Sequence, residues 1–245
     1  MAEFLHRGGA VEPLLQVDGL SVTYDQFLAV ENVNLVIGKG EIVSIIGANG
    51  AGKSTLLRAF ISQSGTIAGQ IMFRQMSICG LSTADIIRSG IALVPEGRQL
   101  FPSLSVEENL RLGWEVGRRG GITLDGLYDL FPVLRERRRQ SAGKLSGGQQ
   151  QLVAFGRALL ADPELLLCDE ISLGLAPKIV DDIYAYLPKI REQGISIIVV
   201  EQDLVRALDI SDRFYCMLEG RVSLEGRSGE HSFDEVSRAY FGAEQ

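Results

Sequence analysis

The chain has 245 residues, a formal net charge of −7 and an apolar content of 46%. That length holds one domain, with or without an added lobe, and the apolar share excludes a disordered chain. The acidic balance argues against a general nucleic-acid binder, which carries a basic surplus, but not against a phosphate site, because local backbone dipoles hold phosphate whatever the global charge.

Residues 1–13 read as a loose leader with no signal-peptide stretch. Leu14–Val17 and Val33–Ile37 read as short strands. Glu41 to Ile46 is an apolar run that stops at a glycine loop, as a buried parallel strand does. Ser54 to Ile61 reads as a helix.

From about 97 to 160 the character changes to charged helical stretches, a glycine joint at Gly117–Gly121 and a basic run at Arg135–Arg139. This part is read as a helical lobe. Its last helix carries Leu152, Phe155, Gly156, Leu159 and Leu160 at helical spacing, which predicts one buried face. Strand–helix alternation then returns. Leu165–Cys168 is a buried strand ending in Asp169-Glu170. Lys178–Arg191 is a helix with Pro188 as a kink near its end, and Ile195–Val200 is a buried strand ending in Glu201-Gln202. Phe214–Leu218 and Arg221–Leu224 form a hairpin about Glu219-Gly220. The class is α/β with a mostly parallel sheet.

Three cysteines, Cys79, Cys168 and Cys216, lie far apart without a CxxC pair, so neither a disulfide framework nor a zinc site is expected, and a reducing cytoplasm fits. No apolar run approaches the roughly 18 residues that span a bilayer. A protein soluble unless tethered by another chain is expected.

Three segments carry chemistry. Gly47-Ala48-Asn49-Gly50-Ala51-Gly52-Lys53-Ser54 is a G-x-x-x-x-G-K-[ST] loop between strand and helix. Its glycines let backbone N–H groups converge on phosphates, Lys53 reaches the β- and γ-phosphates, and the Ser54 hydroxyl serves Mg²⁺. The strand ending in Asp169-Glu170 places acids at the carboxyl edge of the sheet, where ligands bind in open α/β folds. Asp169 is read as a Mg²⁺ holder and Glu170 as the general base for the attacking water. Leu145-Ser146-Gly147-Gly148-Gln149 opens the amphipathic helix with Ser146 as N-cap. The residues alone leave it open whether this is an ordinary capped helix or a second anion site.

In order and context, these segments resemble the Walker A, signature and Walker B motifs of ABC ATPases, from about Leu14 to Gly242. The resemblance implies a P-loop NTPase, RecA-like core (about 14–96 and 161–245), an antiparallel β subdomain and an ABC-specific helical lobe (about 97–160). It implies that Tyr24 stacks on adenine, and that Gly47, Asn49, Gly50, Gly52, Lys53, Ser54 and Thr55 hold one end of ATP. Ser146, Gly147 and Gly148 would meet the ATP of a second subunit in a head-to-tail dimer. Closure and reopening of that dimer would drive two transmembrane permease subunits.

Val94–Arg98, Leu100–Leu110, Leu130–Pro132, Ser172–Pro177 and Val200–Gln202 further resemble the second ATP-binding subunit of bacterial branched-chain amino-acid importers. Related importers take urea or short amides. This narrower likeness implies a peripheral protein at the cytoplasmic face of the inner membrane, served indirectly by a solute-binding protein and without a nucleic-acid partner. Glu96 stands where most ABC ATPases have the Q-loop glutamine and offers an oxygen to Mg²⁺. Gln202 stands where most have the switch histidine; it can hydrogen-bond a γ-phosphate but cannot become cationic. Ala176 replaces the usual D-loop aspartate, and Ile171 a proline. Glu96 and Gln202 leave open an ATP-gated regulatory module with weak hydrolysis. A soluble, non-transport ABC ATPase is a further alternative, without support from a second cassette or a coiled-coil insertion.

Phe101 and Leu104 are read either as a contact for a membrane partner or as lobe packing. Trp114 and Cys168 are read as packing residues, and Arg135–Arg139 as a solvated helix end.

Overall fold

The structure is a computed structural model that describes residues 13–118 and 120–242. The leader, all but Pro13, lies outside the described residues, and Pro13 already belongs to the first strand.

Two sheets form the frame. The first is antiparallel, in the order β2 (Phe27–Gly38), β1 (Pro13–Tyr24), β4 (Thr66–Phe73), β5 (Met76–Ser77). The second has the order β10 (Arg221–Arg227), β9 (Arg213–Leu218), β3 (Ile42–Ile46), β8 (Ser196–Glu201), β7 (Leu165–Asp169), β6 (Ile91–Val94). All its neighbours are parallel except the β9–β10 hairpin. The hairpin turns at Glu219-Gly220, both with positive φ (48° and 80°), as a two-residue turn between right-twisted strands requires.

The parallel strands are apolar at nearly every position because both faces are covered. Val43, Ile45, Leu165, Leu167, Ile198 and Val200 face the antiparallel sheet and α1 (Lys53–Ala59). Their alternates Ile42, Leu166, Cys168, Ile197 and Val199 face the helices. These helices are α3 (Val106–Val116), α4 (Leu124–Leu130), α5 (Pro132–Glu136), α6 (Gly147–Leu159), α7 (Pro177–Tyr184) and α8 (Tyr186–Glu192), with a 3₁₀ turn at Ala142–Lys144. The helix α2 (Thr83–Ser89) precedes β6; α9 (Leu204–Ile210) and α10 (Phe233–Phe241) pack on a third cluster around Ile46, Phe214 and Cys216.

Three details differ from the sequence reading. The α6 helix is buried well beyond one stripe: Val153, Ala154 and Ala158 are covered as well as Phe155, Gly156 and Leu159, because α3 and the sheet enclose it from several sides. The helix read over Lys178–Arg191 is two helices broken at Ala185. Proline lacks an N–H and its ring collides with the carbonyl four residues earlier; for Pro188 that carbonyl belongs to Tyr184, so the break falls there and not near the end. The helix read from Ser54 to Ile61 runs from Lys53 to Ala59.

Cys168 is fully buried in the core, Trp114 packs partly buried against the helical cluster, and Arg135–Arg139 are exposed, Arg135 pairing with Asp125 and Asp129. Phe101 is 53% exposed and Leu104 half-buried. No helix among the described residues is long and apolar enough to cross a membrane.

Candidate functional site

The fully buried β3 stops at Ile46, and the chain turns through Gly47–Gly52 into α1. Gly52 takes φ 96°, and a Cβ there would stand 2.7 Å from the carbonyl oxygen of Ala29 in β2. Glycine is therefore needed both for the turn and for the close approach. The loop curls round Lys53, whose Nζ donates to the carbonyls of Gly47 at 2.8 Å and Ala48 at 3.0 Å. Lys53 is 3% exposed, and its ammonium stands 3.4 Å from Glu170 Oε1. A buried cation needs such a partner, since an uncompensated one is strongly destabilising. Asn49 and Gly50 are exposed at the crest of the loop, and Thr55 is half-buried beside Ser54 on α1.

Register brings the remaining groups to Lys53. Ile46 of β3 is level with Glu201 of β8, and Val200 with Asp169 of β7. Three strands thus end side by side at one edge. Ser54 Oγ donates to Asp169 Oδ1 at 2.7 Å, and Gln202 Nε2 donates to Glu170 Oε2 at 2.7 Å. Burial pushes the Asp169 carboxyl above the usual aspartate range, against the hydrogen bond from Ser54. Glu170 has φ 45°, with its N–H on the carbonyl of Val200 at 3.2 Å. A left-handed non-glycine costs about 1–3 kcal/mol and clusters at functional sites.

Glu96 and Asp169 line one cavity of about 360 Å³ together with Arg58, Gln63, Pro95 and Gln99. The loop leaving Glu96 has three successive positive φ values, at Gly97 (71°), Arg98 (67°) and Gln99 (44°). Arg157 of α6 holds it, donating to Gln99 O at 2.8 Å and Arg98 O at 3.2 Å. Next along, the buried Asn109 brackets Phe101, accepting from its N–H and donating to its carbonyl, both at 3.0 Å.

The oxygens of Ser54, Asp169 and Glu96 are hard donors of the kind Mg²⁺ takes. No group of three or more His, Cys, Asp or Glu capable of holding a metal occurs among the described residues. Mg²⁺ binds one or two carboxylates and completes its shell with water and substrate phosphates.

Ser146 caps α6 in a reciprocal capping box: its Oγ accepts from Gln149 N–H at 3.4 Å, and Gln149 Oε1 accepts from Ser146 N–H at 3.1 Å. Gly148 lies tight against α7, where a Cβ would meet Ile179 Cγ2 at 2.3 Å, and Gly147 lies against the Arg98 guanidinium. Ser146 and Gly148 open on a groove of about 530 Å³ with Ile179, Asp182, Tyr186 and Lys189. This groove shares no lining residue with the Asp169 cavity. Among the described residues, the polar contacts of Lys53 are with Gly47, Ala48 and Glu170, and none joins it to Ser146, Gly147 or Gly148.

Tyr24 sits at the tip of the β1–β2 hairpin, 38% exposed, opposite Phe27 at 70%. The same hairpin carries Ala29, which touches the Gly52 loop. Phe27, directly across the tight turn, presents a second exposed aromatic ring beside Tyr24. The sequence reading missed the partners of the Glu201 carboxylate, which no local pattern announces.

The sequence profile of the family described as ABC transporter matches residues 30–172, more than half of the 245. The chain belongs to the ABC transporter family. Among its relatives, the high-affinity branched-chain amino acid transport ATP-binding protein BraG of Pseudomonas aeruginosa is 43% identical over 85% of this chain and 91% of its own. The probable branched-chain amino acid transport ATP-binding protein LivF of Archaeoglobus fulgidus is 33% identical over 89% and 93%. Among solved structures, an ATP-binding cassette of an ABC transporter in its ADP conformation superposes with TM-score 0.78 at 28% identity, covering 94% of this chain and 99% of its own. A dimeric cassette in a post-hydrolysis state bound to ADP and Pi gives TM-score 0.78 at 27% identity over 89% and 100%. This ABC cassette binds nucleotide and hydrolyses ATP, with the P-loop NTPase fold of its relatives.

Proposed function

We propose that this cassette powers an importer of branched-chain amino acids or of similar small polar solutes such as urea and amides. It does so as a peripheral subunit at the cytoplasmic face of the inner membrane. It pairs with a second cassette, acts on two permease subunits and is served indirectly by a solute-binding protein. The ATPase unit spans 14–245, with a core at about 14–96 and 161–245 and a helical lobe at about 97–160. The solute class rests on the 43% identity to a branched-chain amino acid transport protein over most of both chains.

The single observation that carries the catalytic part is the convergence of Lys53, Glu170 and Gln202 at one sheet edge. Gly47, Asn49, Gly50, Gly52 and Thr55 shape the phosphate cradle, and Tyr24 offers an aromatic face to adenine. Lys53 neutralises charge on the terminal phosphates. Ser54, Asp169 and Glu96 would hold Mg²⁺, which would supply charge neutralisation for the phosphates. Glu170 takes the proton of the attacking water, and Gln202 fixes its carboxylate by the amide hydrogen bond. Ser146, Gly147 and Gly148 complete the site of the partner cassette, a reading supported by the absence, among the described residues, of any polar contact between them and Lys53.

The test is Glu170→Gln. Turnover should vanish while ATP still holds two subunits together in sizing experiments. Full activity in this variant would remove Glu170 as the base.

A further inference from the structure

Glu201 closes β8, between the strand that ends in the glycine loop and the strand that ends in Asp169-Glu170. It is 2% exposed, yet among the described residues no cation is paired with it. Its carboxylate gathers donors from three places. Ser172, just beyond Glu170, donates to Oε1 at 3.0 Å and lies 3.1 Å from Oε2. The hydroxyl of Tyr184 on α7 donates to Oε1. The backbone N–H of Gln202 donates to Oε2 at 3.3 Å. Arg206 of α9 covers the Tyr184 ring at 5.1 Å and pairs with Asp181 of α7 at 2.8 Å.

An acid in this position is costly to bury, and burial pushes its carboxyl above the usual glutamate range against the opposing hydrogen bonds. An apolar side chain would fill the space more cheaply but would leave the Tyr184 and Ser172 hydroxyls without an acceptor. Only an ionised carboxylate accepts from several donors without carrying one of its own. The arrangement therefore serves to join three segments, not simply to fill a core.

We propose that Glu201 is a positioning residue for hydrolysis: it ties the Ser172 segment and α7 to the start of the Gln202 loop, so that the Gln202 amide meets Glu170. This rests on the reading of Glu170 as the base. The Glu201 carboxylate is buried among Ser172, Tyr184 and the Gln202 N–H, so it acts through Gln202 and through the turn that follows Glu170.

The experiment measures ATP turnover with Mg²⁺ by the full-length chain in its native membrane complex, for Glu201→Gln, Ser172→Ala, Tyr184→Phe and the Glu201→Gln/Ser172→Ala pair. The amide introduced by Glu201→Gln would present an NH₂ group to one of the present donors, so kcat should fall about tenfold while KM for ATP stays within about twofold. Ser172→Ala and Tyr184→Phe should each give a smaller loss, and the pair should be no worse than Glu201→Gln alone, because both remove the same tie. Thermal midpoints are recorded alongside, since a merely structural residue would lower them without splitting kcat from KM. If Glu201→Gln does not fold, Ser172→Ala combined with Tyr184→Phe provides the same cycle. Turnover near wild type in these variants, or additive losses that follow the thermal midpoint, would overturn the inference. Glu170→Gln run in parallel keeps the two readings apart: if it is inactive while Glu201→Gln is normal, only the positioning role fails. If Glu170→Gln is fully active, the assignment of the base fails instead.

Discussion

The side-chain amide of Gln202 donates to the carboxylate of Glu170 across 2.7 Å. The other Glu170 oxygen faces the Lys53 ammonium at 3.4 Å. Both oxygens of the proposed base are thus held, one by a neutral donor and one by a cation. An amide does not ionise in water, so the neutral contact is the same at every working pH.

Replacing Gln202 by histidine should give this contact a titration. Imidazole changes charge near pH 6.5, and the imidazolium would pair with Glu170 and lower its basicity. The ratio of Gln202→His to wild-type turnover should therefore fall as pH is lowered through about 7 to 6. A pH–rate profile of both proteins checks this; a constant ratio would show that position 202 does not govern the base.

The α7 helix begins without a side-chain cap. Ala176 has the extended backbone of an N-cap (φ −67°, ψ 146°), and Pro177 occupies the first turn. Aspartate at 176 should accept from an N–H of the first turn and stabilise the protein by about 0.5–2 kcal/mol. Thermal unfolding should show a midpoint higher by a few degrees, about 2–4 °C per kcal/mol at this chain length. No rise would mean that the helix end is already satisfied.

Gly113 of α3 faces the backbone of α6: a Cβ there would lie 1.9 Å from the carbonyl oxygen of Arg157. Alanine is favoured over glycine inside a helix by about 1 kcal/mol. Here the clash is with main chain, which cannot step aside, and overpacking of this kind costs about 1–3 kcal/mol or more. Gly113→Ala should thus lower stability in a denaturant titration despite its better helix propensity.

Buried Glu201 gives a pH signature of stability as well. Its folded-state value lies above the ordinary 4.5, with desolvation the first cause. Its protonated form is therefore favoured by folding, and the corresponding stability is complete below the unfolded value and lost as pH rises through the raised folded one. Glu201→Gln removes this loss. The difference in thermal midpoint between variant and wild type should shift in favour of the variant as pH rises from about 4.5 through the raised folded value. A difference that is flat with pH would mean that Glu201 is not perturbed.

Most of the fold was legible because its signals are local. Apolar runs ending at Gly47 and at Asp169 marked the buried strands, and Glu219-Gly220 marked the hairpin. The loop at Lys53 and the acids at Asp169-Glu170 were legible for the same reason, since each motif is contiguous. What escaped was decided by distant neighbours. The stripe read on α6 was right as far as Phe155 and Leu159, but Val153 and Ala154 are covered by elements that a helical wheel cannot see. Pro188 was recognised as a disruption, but the break falls at the carbonyl it strikes. Ser172, Tyr184 and Glu201 belong to three separate elements and meet only in the folded chain.

The loop between Glu96 and Phe101 is braced along its length instead of hanging between two ends. Gly97, Arg98 and Gln99 all lie in the left-handed region, Arg157 grips two of their carbonyls, and Asn109 pins Phe101 on both sides. A segment fixed at so many points has few ways to yield by slack, and packed elements shift between discrete arrangements instead of deforming smoothly. The exposed Phe101 ring and the cavity-lining Glu96 are thus the two ends of one short segment whose middle is held by Arg157 and whose far end is held by Asn109.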